Sequence, residues 1–188
     1  MKYTVITGAS SGIGYETALA FAARGKNLII AARREDKLEE LKLEIEKVNQ
    51  DLDVVIRTTD LSISKNVYVF YESLQGFQIE TFINNAGFGN FDSVGEQNLD
   101  KIETMLHLNI EALTILSSLY VRDYSKVEGT QIINVSSGGG YKIVENAITY
   151  CASKFYVSAF TEGLAHELKA NGAEMQAKVL APAATETE

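Results

Sequence analysis

Three glycines, Gly8, Gly12 and Gly14, interrupt the chain just after its first apolar β-type run (3–7) and at the start of its first helical stretch. A glycine-rich turn at that junction leaves few folds open. Gly8 permits a sharp exit from the strand, Gly12 lets backbone approach a pyrophosphate, and Gly14 allows close packing of helix on sheet. Free N–H groups at the helix start then bind the anion. Ser10 and Ser11 fill the gap with small polar side chains, and Ile13 separates the last two glycines.

The remainder of the chain alternates in the same way. Further β-type runs occur at 27–31, 54–57, 81–84, 131–135 and 176–181, with helical stretches near 12–24, 35–49, 62–75, 99–125 and 148–170. The stretch at 35–49 is the plainest helix: Leu38, Leu41, Ile45 and Val48 form an inward stripe, and the charges around them read as a solvated face. Such alternation predicts a parallel sheet with helices on both faces, an α/β fold of the Rossmann type. Six strands suit the order 3-2-1-4-5-6. Without repeats, linkers or low-complexity segments, residues 1–188 read as a single nucleotide-binding domain that also carries the reactive residues.

Composition narrows the function classes. A hydrophobic content of 46% and a charged content of 22% are those of an ordinary globular protein. The net charge of −8 and the lack of a basic stripe argue against nucleic acid as a partner. No run of 18 apolar residues offers a membrane span, and the first strand starts too early for a signal peptide. Cys151 is the single cysteine, so a reducing, cytoplasmic location is expected. His107 and His166 lack ligand spacing, and no metal site is expected.

Tyr150 and Lys154 stand four residues apart, which puts a phenol and an ammonium on neighbouring turns of one helical face. A free tyrosine titrates near ~10, and a nearby positive charge favours the phenolate needed for proton exchange. By itself this pair is a common pattern. The end of the second strand speaks to a cofactor. It reads Ala31-Ala32-Arg33-Arg34, with no acid before Glu35. A carboxylate at position 32 would repel a 2′-phosphate, whereas Arg33 offers a planar fork for one, with Ser10 and Arg34 as helpers. NADP(H) is therefore expected over NAD(H).

The glycine spacing in Thr7-Gly8-Ala9-Ser10-Ser11-Gly12-Ile13-Gly14 is followed by Asp60-Leu61 and then by Asn84-Asn85-Ala86-Gly87. Asn109, Ser137 and the Tyr150/Lys154 pair come next, in that order. Over the whole chain this series resembles the short-chain dehydrogenase/reductase family. The resemblance implies an NADP(H)-dependent oxidoreductase that interconverts a small-molecule carbonyl and its alcohol. Tyr150 would be the acid/base, and Lys154 would lower its pKa and hold the nicotinamide ribose. Ser137, thirteen residues before the tyrosine, would bind the substrate oxygen in preference to Ser136. Asn109 would hold a water of a proton relay. The resemblance also gives Asp60 and Leu61 to the adenine, and Asn85, Ala86 and Gly87 to the cofactor wall. Pro182, Thr185 and Thr187 would lie along the nicotinamide.

By the same resemblance, the helices carrying Asn109 and Tyr150 would pack in a homodimer or homotetramer. Gly138-Gly139-Gly140 reads either as a mobile turn at a substrate entrance or as a structural loop. Family members continue for several dozen residues beyond the proline, so a substrate-covering segment is expected to be missing. A non-catalytic NADP-binding sensor of the same fold is the competing reading.

Overall fold

Val, Ile and Leu dominate the apolar runs, and such runs bury both faces of a parallel sheet. In the computed structural model, which describes residues 1–183, they form β1 (Lys2–Thr7), β2 (Asn27–Ala32), β3 (Val54–Thr58), β4 (Gln78–Asn84), β5 (Gln131–Val135) and β6 (Gln176–Leu180). All neighbours pair in parallel, in the order β3-β2-β1-β4-β5-β6. This is the expected topology. Several strands run a little beyond their apolar cores, and β6 stops before Ala181.

Alternate residues of each strand feed two cores. On one face Ile6, Leu28 and Ile30 meet α1 (Gly12–Ala22) and α2 (Glu35–Val48), where Leu38, Leu41 and Ile45 are fully buried. Val48, expected to complete that stripe, is instead half exposed as the last residue of the helix. On the other face Val5, Ile29, Phe82 and Ile132 meet α3 (Ser64–Glu72), α5 (Leu113–Tyr124) and α6 (Ile148–Ala170).

The helix expected at 99–125 is present and unbroken to Tyr124, but it changes type along its length. It runs as α4 (Leu99–Leu106), a π-helical turn (His107–Ala112) and then α5. The wide turn carries Asn109, which is buried. Beneath α5 and α6, β4 and β5 are joined by polar side chains. Asn84 Nδ2 donates to Asn134 Oδ1 at 2.9 Å, and Asn134 Nδ2 donates to Thr161 Oγ1 at 3.0 Å.

β1 leads away to β2 on one side, while β4 leads to β5 on the other. Their connections diverge, and a crevice opens at the carboxyl ends of the two strands. No helix among the described residues is long and apolar enough to cross a membrane.

Candidate active site

The glycine turn lies in that crevice and its glycines are sterically required. Gly8 and Gly12 have φ of 66° and 54°, which side-chain-bearing residues rarely adopt. A Cβ on Gly8 would come within 2.7 Å of Ala86 Cα, and one on Gly14 within 2.3 Å of the Gly8 carbonyl oxygen. Two side chains clamp the same junction. Asn85 Nδ2 donates to the carbonyls of Thr7 and Gly8 at 3.0 and 3.1 Å. Thr7 Oγ1 in return accepts from the N–H groups of Asn85 and Ala86, both at 3.1 Å. Ser11 opens α1 in extended geometry with no side-chain cap, leaving the helix-start N–H groups to a ligand.

A cleft of about 330 Å³ extends from this turn. Gly8, Ser10, Ser11, Arg33, Arg34 and Asp60 line it, joined by Leu61, Ala86 and Gly87. Arg34 Nη2 donates to Ser10 Oγ at 3.4 Å, so the arginine pair and the glycine turn share one rim. Asp60 Oδ1 accepts from both the N–H and the Oγ of Ser62. Gly14 is buried behind the cleft, and Gly12 and Ile13 belong to the first turn of α1.

Tyr150, Lys154, Asn109 and Ser137 lie near one another, around Gly87 and Gly139. Lys154 is almost wholly buried, and its Nζ donates to the Val135 carbonyl at 2.9 Å. That ammonium lies 5.9 Å from the centre of the Tyr150 ring, and burial pushes its pKa down to about 8. Gly87 separates it from Asn109: a Cβ there would be 2.8 Å from Asn109 Oδ1 and 3.5 Å from Lys154 Nζ. Gly139 plays the same part between Ser137 and Tyr150. Its Cβ would lie 3.2 Å from Cys151 Sγ, 3.5 Å from Ser137 Oγ and 3.8 Å from Tyr150 Cε1.

Ser136 faces elsewhere. Its Oγ is bonded to the Lys154 carbonyl at 2.9 Å and to Ser158 Oγ at 2.8 Å, inside the packing of α6. The glycine run is a 3₁₀ turn in which Gly139 and Gly140 are buried, and a Cβ on Gly140 would sit 2.3 Å from Ser136 Oγ. Close packing accounts for Gly140 and the buried Gly139, while Gly138 is exposed and a Cβ there would meet nothing nearer than 3.6 Å.

A family model for short chain dehydrogenases matches residues 2–188. The chain belongs to the short-chain dehydrogenase family. It is 33% identical over 189 residues to an uncharacterized oxidoreductase of Staphylococcus saprophyticus, covering 100% of this chain and 75% of that protein. Among solved structures it resembles a short-chain dehydrogenase from Sphingobium yanoikuyae in complex with NADPH, with 30% identity and a TM-score of 0.92. That match covers 100% of this chain and 73% of the other. A family member from Burkholderia phymatum in complex with NAD matches at 26% identity and a TM-score of 0.86, covering 99% and 66%.

Several residues of this short-chain dehydrogenase escape a motif-based reading. Thr59, Phe88 and Leu108 line the cleft, and Ser153 joins Asn109 Nδ2 (3.1 Å) to the Tyr150 carbonyl (2.7 Å). Ser153 directly precedes Lys154, and its place in the motif is the only sequence signal it offers. Pro182 reaches the reactive end through its carbonyl, which accepts from Gly138 N at 2.8 Å. Thr185 and Thr187 lie outside the described residues.

Proposed function

We propose that this chain uses NADP(H) to interconvert a carbonyl compound and its alcohol, with Tyr150 as the proton donor and acceptor. The observation that carries the reading is the closeness of Tyr150, Lys154, Asn109 and Ser137 to one another around Gly87 and Gly139, with Gly87 also lining the cleft. The cofactor fits the residues present. The glycine turn is a cradle that any Cβ would fill, and uncapped N–H groups face it from α1. Arg33 and Arg34 follow Ala32 at the rim, where a 2′-phosphate meets positive charge and the end of β2 carries alanine in place of an acid.

When bound, the nicotinamide supplies hydride transfer. The protein supplies placement and the proton. In reduction Ser137 Oγ and the Tyr150 hydroxyl bind the carbonyl oxygen, and Tyr150 gives up its proton as that oxygen becomes an alcohol. The Lys154 ammonium steadies the negative charge left on the phenol oxygen. Asn109 Nδ2 is used by the Phe88 carbonyl and Ser153 Oγ, but among the described residues Oδ1 accepts only from Phe88 N and keeps a lone pair. The space left by the missing Gly87 side chain lies between that oxygen and Lys154 Nζ. A water there relays protons from solvent.

The test is a screen of carbonyl compounds that follows NADPH and NADH consumption separately, with Tyr150→Phe alongside. The variant should lose roughly 10²–10⁴-fold in turnover and bind NADPH as before. Tight NADPH binding without turnover of any carbonyl would favour the sensor, and equal use of NADH would remove the argument from Arg33.

A further inference from the structure

Phe91 inverts the usual rule of burial. It is 69% exposed, while its neighbour Asn90 is 1% exposed with neither amide atom hydrogen-bonded. A chain folding for stability alone would bury the ring and expose the amide. The ring lies beside the catalytic phenol, with centroids 6.0 Å apart and planes tilted by 47°. Gly89 makes this approach possible. A Cβ on it would lie 3.0–3.2 Å from the Phe91 ring and 3.6 Å from Tyr150 Cδ2, wedged between the two.

The segment is also held in place. Gln97 Nε2 donates to Thr149 Oγ1 and to the Asp92 carbonyl, and Thr149 Oγ1 donates to Gln97 Oε1. These bonds fasten residues 88–98 to the residue just before Tyr150. The loop entering α6, just ahead of Tyr150 in the chain, exposes Ile143 and Val144, and the Val144 carbonyl accepts from Ala147 N one residue before the helix. The charges on both loops are mostly acidic: Asp92, Glu96 and Glu145 against Lys142, all exposed.

Resting on the reading of Tyr150 as the acid/base, we infer that the site takes uncharged, apolar ketones bearing a ring, and that Phe91 is the residue that selects them. The flat apolar wall beside the phenol receives the ring of the substrate. The surplus of carboxylates at the mouth repels anionic carbonyl compounds. A polyhydroxylated ketone finds no hydrogen-bond partner on Phe91, Ile143 or Val144.

The experiment compares acetophenone, a ketopentose and acetoacetyl-CoA as substrates of the wild type and of Phe91→Ser. The wild type should prefer acetophenone by about tenfold or more in kcat/KM, and Phe91→Ser should erase that preference through KM, the scale of a lost apolar contact. A wild type that favours the ketopentose or acetoacetyl-CoA overturns the inference, and so does a Phe91→Ser variant that slows all three alike. Binding of the same compounds to NADPH-loaded Tyr150→Phe, measured by calorimetry, separates the two readings. Selective acetophenone binding without wild-type turnover sinks the reaction and keeps the pocket. Turnover without selective binding sinks the pocket alone.

Discussion

Lys154 carries its charge in a place nearly without water, and burial sets the pH at which it gives that charge up. Its pKa falls from the ordinary 10.5 to about 8. Below about pH 8 the lysine is protonated in both folded and unfolded chains, and the full penalty of burying the ammonium is present. Between about pH 8 and 10.5 the unfolded chain holds a proton that the folded chain has released, so this group makes stability rise with pH. Urea titrations from pH 7 to 10 should show the wild type gaining relative to Lys154→Met by up to about 1.4 kcal/mol per pH unit, the value for one proton. Parallel profiles would refute the assignment. The comparison with Lys154→Met removes the opposing effect of tyrosines such as Tyr71 and Tyr120, which burial raises and whose ionisation at high pH weakens the fold.

At the level of elements, the π turn is the part of the chain that sequence reading missed. Nothing at 106–113 marks a change of helix type: no glycine or proline occurs there, and the apolar spacing continues through Leu106, Ile110 and Leu113. The widened turn becomes visible only through the contacts that Asn109 makes with the Phe88 backbone and Ser153, on segments far away in sequence. Asn109→Ala deletes these contacts and leaves buried groups unpaired. It should cost about 1–3 kcal/mol of stability and about 10²-fold in turnover through a displaced Phe88 segment. Denaturant unfolding and steady-state rates check both, and an unchanged rate would reduce Asn109 to a structural residue. The strands were easier to read, because their Val, Ile and Leu runs are short and flanked by turn residues. The place of Phe91 was not legible at all. An aromatic ring in a loop declares neither its exposure nor its neighbour, and only the fold brings it to Tyr150.

For the molecule as a whole, the strand order followed from counting strand–helix units and from the one handedness such crossovers take. Assembly is written less plainly. On α6, Tyr156 and Phe160 stack with parallel rings 5.9 Å apart, Phe155 is partly exposed, and the Tyr156 hydroxyl bonds to Thr114 of α5. We expect this two-helix face to bind its equivalent in a second copy. Tyr156→Glu should shift the protein toward monomer in light scattering coupled to size exclusion, and an identical mass for variant and wild type would exclude that face.

The clamp between the ends of β1 and β4 bears on how a ligand is received. Thr7 and Asn85 exchange two hydrogen bonds, and two more run from Asn85 to the Gly8 carbonyl and from the Ala86 N–H to Thr7. The entropy of ordering the turn is thus spent during folding and does not weaken binding. Substitutions at Thr7 or Asn85 should therefore register as lost nucleotide affinity, because each loosens the turn from the end of β4.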